Sequence, residues 1–502
     1  MDRITQHRLD EAARELIASI DPLKICELAW SFNPDKRRRR IFSEWKKGGV
    51  NVCFPVIFDG EIDSKDGEGE DEKWMVRIPL LPKLAYPEEK LRGEIATMMY
   101  IAEKITIPIP RLHGYSVKRD NILGLPFILV EYVEGKPLSS TRFERLDESK
   151  TKHIHFQLAD IYIQLFHQQF DEIGALTLDE NNEHWVFMKN RPLTVDINDQ
   201  EVGGLDICHY LSSCQTFSSV IDYVYFIIKL IFNDFYQGRD SILDEEDARN
   251  YLYSIHMSQS ILMEWVKPEY NHGPFILMHG DLRPPNILID DDDFNVVSVL
   301  DWEWSHTVPV RFFVPPFWLT NRGVYGVCTD VHRPMYMVAS QQFIDATYER
   351  EHNFYQQHPR SSFSIAEYWS KQESQDLFIA HGLMRPHHFG TIYWNCLEVP
   401  YYGEESKSME RVEAFFKIRQ PQSDAVKQKA LEFARFEKER RDLGIEPRLN
   451  LDMTRSDLLK KLEEMQEKRN VEEEKNEKCI GINGRGEFRT QGELEVDPRK
   501  SH

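Results

Sequence analysis

The chain has 502 residues, enough for two or more lobes around sizeable cores. Its 83 acidic residues against 62 Lys and Arg give a formal charge of −21, which argues against a nucleic-acid-binding surface. Seven cysteines without a C-x-x-C pair predict reduced thiols in a cytoplasmic setting, with neither zinc nor a disulfide framework. The N-terminus lacks a signal-peptide apolar core, and no run reaches the roughly 18 apolar residues of a membrane span.

In chain order, residues 8–20 carry a helical apolar stripe, and Asp21-Pro22 reads as an N-cap and first position of a second helix through Trp30. Both are expected to shield one edge of a sheet lobe. The basic run Lys36–Arg40 reads as a solvated turn, with a nuclear-import signal as the alternative. Residues 48–58 and 72–80 predict strands on either side of a polar loop, 59–71. Alternation places Trp74, Val76 and Ile78 on one face of the second strand and Met75 and Arg77 on the other. Residues 87–104 predict a helix opened by proline and two acids, with Leu91, Ile95, Met98 and Ala102 inward and Glu94 beside them. Two further strands follow, the second ending near Glu131–Gly135; from Asp147 the pattern is largely helical.

Residues 275–304, FILMHGDLRPPNILIDDDDFNVVSVLDWEW, alternate apolar strands with polar turns. The first loop offers His279, Asp281, Arg283 and Asn286, and a later strand delivers Asp301. Two acids and an amide on turns between buried strands suit a Mg²⁺–nucleotide site, because Mg²⁺ takes oxygen ligands from one or two protein groups plus phosphates. Asp290–Asp293 lack the alternating ligand pattern of a calcium loop and read as a hairpin turn.

H-G-D-L-x-x-x-N-I-L followed by L-D-W-E resembles the aminoglycoside phosphotransferase family in its larger, fungal-type branch, within the protein-kinase-like superfamily that includes choline kinases. The resemblance spans roughly 41–400. It implies a two-lobed α+β fold, a small antiparallel-sheet lobe with one main helix and a larger, mainly helical lobe. The implied organisation is an N-terminal extension 1–40, a nucleotide-binding lobe 41–135, a catalytic and acceptor lobe 136–420 and a charged tail 421–502. A capping box at Thr454–Asp457 opens a helix in that tail.

The implied cofactors are ATP and Mg²⁺. Gly48 and Gly49 stand at the phosphate turn, Arg77 in place of the usual phosphate-binding lysine, Glu94 as its ion-pair partner, and Glu131 and Val133 at the adenine hinge. Asp281 is the implied base, Arg283 a contact to the γ-phosphate, and Asn286 and Asp301 the metal ligands. Glu303 would assist metal binding through water or face a cationic acceptor, and Trp302 and Trp304 read as packing the strand end, with an aromatic wall for such an acceptor as the alternative. The expected partner is a small-molecule acceptor; its identity and the oligomeric state stay open. The rival readings are a nucleotide-binding pseudokinase or scaffold and, behind it, a protein kinase, for which no A-P-E follows the metal acid.

Overall fold

Helix α1 (Arg3–Ser19) begins where Asp2 Oδ1 accepts hydrogen bonds from the Ile4 and Thr5 amides at 3.0 and 2.9 Å. Helix α2 (Pro22–Phe32) begins on Asp21, with Pro22 in the first turn as predicted. These positions come from a computed structural model, which describes residues 1–35, 38–60, 71–141, 146–357 and 363–446. Lys36 and Arg37, residues 61–70 and the expected helix at 454–465 lie outside the described residues.

The small lobe is built on an antiparallel sheet of six strands. They are β1 (Arg39–Ile41), β2 (Lys46–Lys47), β3 (Asn51–Phe58), β4 (Glu72–Pro79), β5 (Leu112–Ser116) and β6 (Phe127–Glu131), in the order β1-β3-β4-β6-β5 with β2 also on β3. Val76 and Ile78 are fully buried and Trp74 is 1% exposed, whereas Met75 and Arg77 face the other side. The buried side packs on Ala13, Ile17, Ile25 and Leu28 of α1 and α2. The two helices therefore cover a face of the sheet and not its edge. A sheet face buries one side chain in two along every strand, and each large one removed from water contributes about 1.5–3 kcal/mol. An edge could not supply that.

On the opposite face lies α3 (Pro87–Lys104). Its buried stripe is Leu91, Ile95, Met98 and Ile101; Ala102, expected inward, is exposed. Glu89, in the first turn, receives both Nε and Nη2 of the buried Arg191 at 2.8 Å each, which ties the helix start to the larger lobe.

Glu131–Gly135 leads from β6 to β7 (Lys136–Pro137), after which come α4 (Glu148–Phe166), β8 (Gln169–Phe170), β9 (Thr177–Leu178), β10 (Trp185–Val186) and α5 (Val195–Val202). The larger lobe continues through α6 (Val220–Gln237), α7 (Glu245–Trp265), β11 (Phe275–Met278), β12 (Ile287–Ile289), β13 (Val296–Val299) and β14 (His306–Pro309). It goes on through α8 (Val324–Val327), α9 (Arg333–Gln357), α10 (Ile365–Ser370) and α11 (Ser374–Met384) to shorter segments and helices at Ser408–Lys417 and Gln420–Asp442. The last helix packs into the body through the buried Val426, Lys429 and Phe436. Two small antiparallel sheets, β14-β11-β8 and β13-β12-β7, carry the segment 275–309. The whole is a two-lobed α+β fold of protein-kinase-like build, an antiparallel sheet with one main helix set beside a mainly helical lobe. No described helix is long and apolar enough to cross a membrane.

Candidate active site

The loop between β11 and β12 is shaped by Gly280, which sits at φ +78°. A Cβ there would lie 2.1 Å from the Trp304 carbonyl oxygen. Position 280 thus has room for no side chain. Gly280→Ala is expected to lower stability by at least about 2 kcal/mol, read as a lower urea midpoint. An alanine variant of unchanged midpoint would mean that the loop backbone relaxes freely.

His279 is buried against Trp302, with Nε2 2.7 Å from the Leu300 carbonyl and Nδ1 accepting from the Asp281 amide at 3.3 Å. Burial pushes its pKa down, so a neutral ring braces the loop. Asp281 is held from three directions: Arg283 Nε donates to Oδ2 at 2.9 Å, Asn286 Nδ2 to the same oxygen at 3.3 Å, and Arg385 Nη2 to Oδ1 at 3.3 Å. Asn286 Nδ2 also donates to the Asp281 carbonyl at 2.9 Å. The amide nitrogen is thereby used within the loop, leaving Oδ1 as the atom a cation can take.

Antiparallel pairing of Ile287 with Val299 sets the next step, because the Leu300 amide donates to the Asn286 carbonyl at 2.8 Å. Asp301 follows directly, in the left-handed region at φ +62°. The register therefore places Asp301 one residue beyond Leu300, the backbone partner of Asn286. Asp301 Oδ1 accepts from Arg77 Nη2 at 2.6 Å. The same guanidinium nitrogen lies 3.1 Å from Glu94 Oε1 and 3.8 Å from Glu303 Oε2.

Behind Arg77 is a second cation, Lys90, fully buried one turn before Glu94 on α3. Lys90 Nζ lies 3.1 Å from Glu94 Oε2, bonds Glu303 Oε2 and reaches Asn51 Oδ1 at 3.3 Å. Asn51 Nδ2 in turn donates to Glu303 Oε2 at 2.6 Å. Burial works against the charged form of Arg77, but Glu94 and Asp301 outweigh it and raise its pKa. Burial likewise opposes Lys90⁺, and Glu303 and Glu94 reverse the balance, so Lys90 also stands above its ordinary value. For Asp301, burial is overcome by Arg77 and Lys90 and the pKa falls; for Glu303, burial prevails over Lys90 and the pKa rises. Two cations face three carboxylates, and between Asp301 and Glu303 it is Glu303 that takes a proton first.

The structure brings Arg77, Glu94, Asp281, Arg283, Asn286 and Asp301 into one linked set. Gly48 and Gly49 lie at the tip of the β2–β3 hairpin, where the Gly48 amide donates to the Asn51 carbonyl at 2.8 Å. Neither glycine takes a positive φ, and a Cβ at Gly49 would meet nothing within 4 Å. Glu131 is exposed at the end of β6 and Val133 is half-buried in the crossing to β7. Glu303 corrects the sequence reading, since it lies beneath Lys90 and Asn51 and is not open to an acceptor, while Trp302 and Trp304, 2% and 5% exposed, pack the strand end as the first of their two readings had it. They form no open aromatic wall. The turn at Asp290–Asp293 is a hairpin between β12 and β13, closed by the Asp290 amide on the Asn295 carbonyl.

Sequence reasoning missed Lys90, Asn51 and Arg385. A Lys and a Glu four residues apart look like an ordinary solvated helix pair. Arg385 stands 104 residues after Asp281, with no local pattern to mark it.

Next to Arg385, His387 Nδ1 lies 2.8 Å from the buried Asp196. Burial pulls His387 down, yet Asp196 carries it above 6.5; burial pushes Asp196 up, yet His387 carries it below 3.8. Arg385, His388 and Asp234 also face the pair. The histidine contribution is complete below pH 6.5 and lost as pH rises through its raised pKa. The aspartate contribution is complete above pH 3.8 and lost as pH falls through its depressed pKa. His387→Gln is therefore expected to cost most stability between pH 3.8 and 6.5. The loss is about 0.2–1 kcal/mol, since His387 is half-exposed, and denaturation midpoints across pH check it.

A family model described as the phosphotransferase enzyme family matches residues 64–187 and 238–310. Those ranges contain Arg77, Lys90, Glu94, Asp281, Asn286, Asp301 and Glu303. One relative, altered inheritance of mitochondria protein 9, mitochondrial, of Zygosaccharomyces rouxii, is 30% identical over 121 residues, 22% of this chain and 20% of its own length. A subtelomeric hrmA-associated cluster protein of Aspergillus fumigatus is 24% identical over 262 residues, 43% of this chain and 50% of its own. The chain thus spans between a fifth and a half of these curated relatives. Among solved structures, the GDP complex of aminoglycoside 2′-phosphotransferase-IIIa aligns with a TM-score of 0.40 and 13% identity, over 82% of this chain and 99% of that one. The cytoplasmic expectation is overturned by these relatives, because the yeast proteins are named as mitochondrial.

Proposed function

We propose that this chain, a member of the phosphotransferase enzyme family by the domain it carries, moves the γ-phosphoryl group of ATP to a hydroxyl of a small molecule. One observation carries the reading. The loop that holds Asp281 between Arg283, Asn286 and Arg385 is joined through the Asn286–Leu300 hydrogen bond to Asp301, and Asp301 to Arg77. A proton acceptor, hard-oxygen ligands and a phosphate-binding cation are the parts phosphoryl transfer needs.

The acceptor oxygen attacks the γ-phosphorus, the bond to the β–γ bridging oxygen breaks, and ADP leaves. The acceptor's proton passes to the Asp281 carboxylate, whose orientation the two arginines and Asn286 fix. Asp301 and Asn286 fit Mg²⁺ because both offer oxygen, the donor it prefers, and Asp301 directly follows Leu300, the backbone partner of Asn286. Bound there, the ion would neutralise charge on the phosphates. Arg77 can offer a bidentate phosphate contact that lysine cannot, and Glu94 with Lys90 behind it sets where the guanidinium points.

Calorimetric titration with ATP, in the presence of Mg²⁺ or of EDTA, tests the nucleotide half of this reading. The wild type is expected to bind at least about tenfold tighter with Mg²⁺, a difference of about 1.4 kcal/mol. Asp301→Asn should lose most of that difference. Affinity indifferent to Mg²⁺ in both proteins contradicts the assignment.

A further inference from the structure

Both chain neighbours of Asp281, Gly280 and Leu282, line a partly open cleft that runs between the catalytic loop, the segment after β14 and the end of α11. Its walls are chiefly apolar and aromatic: Met278, Leu282, Phe313, Phe317, Trp318 and Met384. Several of the wall polar groups are engaged elsewhere, whereas His381 Nδ1 is buried without a hydrogen-bond partner among the described residues. Trp318 Nε1 donates to the Leu282 carbonyl at 2.7 Å, and the Phe313 carbonyl accepts from Trp369 Nε1 at 2.6 Å. His381 Nε2 meets the Tyr336 hydroxyl at 2.8 Å, and burial pushes this histidine down to about 3, so it is neutral.

Among the described residues that line the cleft, Arg385 alone carries a charge, and no carboxylate does. Arg385 Nη2 donates to the Gly280 carbonyl at 3.0 Å and to Asp281 Oδ1, so the cationic side of the cleft abuts the proposed base. An ammonium group entering here would leave water for apolar walls and meet the Arg385 guanidinium, whose carboxylate partner Asp281 lies at the cleft's end and is already shared with Arg283. A second cleft beyond Arg385 does hold Asp196, but His387 already pairs with that carboxylate.

We infer that the acceptor is a lipophilic alcohol without an ammonium group, its apolar body seated between Phe317, Trp318 and Met384 and its hydroxyl reaching Asp281. This rests on the phosphoryl-transfer reading above and gives the acceptor a chemical class. It runs against the cationic acceptor that the sequence suggested. Half-buried Met278, Leu282, Phe317 and Met384 give the seat deformable walls, which suits a flexible or aromatic body more than a rigid polar one.

The test pairs 4-phenylbutan-1-ol and 1-octanol with choline and kanamycin, on the full chain with ATP and Mg²⁺. Binding is read by tryptophan fluorescence, since Trp318 lines the cleft, and transfer by mass-spectrometric gain of phosphate. The two apolar alcohols are expected to bind and to gain phosphate. Met384→Glu should weaken their binding at least about tenfold, placing a carboxylate in an apolar wall, while ATP affinity stays as in the wild type. Should that variant fail to fold, Met384→Gln is read in its place, with the same direction expected.

Preferential binding or phosphorylation of choline or kanamycin overturns the acceptor class and leaves phosphoryl transfer standing. Apolar alcohols that bind in a Met384-dependent way without gaining phosphate support the cleft assignment and count against transfer. No binding of either alcohol, or binding indifferent to Met384, overturns the inference.

Discussion

Asp281→Asn is expected to lower turnover by about 10²- to 10⁴-fold, the range for loss of a positioned base. ATP affinity stays that of the wild type, because no nucleotide contact is assigned to this side chain. The asparagine is close to isosteric and can still accept one of the hydrogen bonds that Arg283, Asn286 and Arg385 direct at Asp281. What it loses is the ability to take a proton and the charge that the two guanidiniums face. Single-turnover kinetics separates this from a binding defect, since the chemical step slows and the nucleotide dissociation constant does not move. Turnover within about twofold of the wild type would remove Asp281 from the role of base.

Lys90→Met costs about 3–5 kcal/mol of stability, the range for breaking a buried ion pair from one side. Lys90 has no exposed side-chain surface and touches Glu94, Glu303 and Asn51. Removing its charge leaves three carboxylates around one remaining cation, Arg77, and Glu303 without its main partner. The double variant Lys90→Met/Glu303→Gln is expected to recover part of the loss, because the uncompensated acid goes with the lysine. A double-mutant cycle on denaturant midpoints measures this coupling, which should fall within about 0.5–3 kcal/mol. Additive losses would show that Lys90 acts only through packing.

Much of the fold was legible in the chain. Asp21-Pro22 announced α2, alternation gave the inward face of β4, and proline with two acids marked the start of α3. These are local signals, and local signals survive folding when tertiary packing agrees with them. The loop and turn of 275–304 were legible for the same reason, since their polar residues are spaced along one short segment.

The remainder depends on distances in space. Glu303 read as a residue open to an acceptor, because nothing in D-W-E says that Lys90, more than 200 positions earlier, would lie over it. Glu89 read only as one of two acids at the helix start, and no local signal announces that Arg191, 102 residues away, bonds both its oxygens. Arg385 and the apolar cleft it borders are assembled from four separate parts of the larger lobe. The face of the sheet that α1 and α2 cover was equally hidden, because an amphipathic stripe reports that a helix is covered and not by what.

The most direct measurement of phosphoryl transfer uses ATP labelled with ¹⁸O in its γ-phosphate. The chain is incubated with the labelled ATP, Mg²⁺ and a small-molecule extract, and the products are resolved by mass spectrometry. The expected result is a new phosphomonoester that carries the three labelled terminal oxygens and the acceptor's own hydroxyl oxygen, formed by the wild type and not by Asp281→Asn. Label found only in inorganic phosphate or on protein, with no small-molecule ester, would contradict the account.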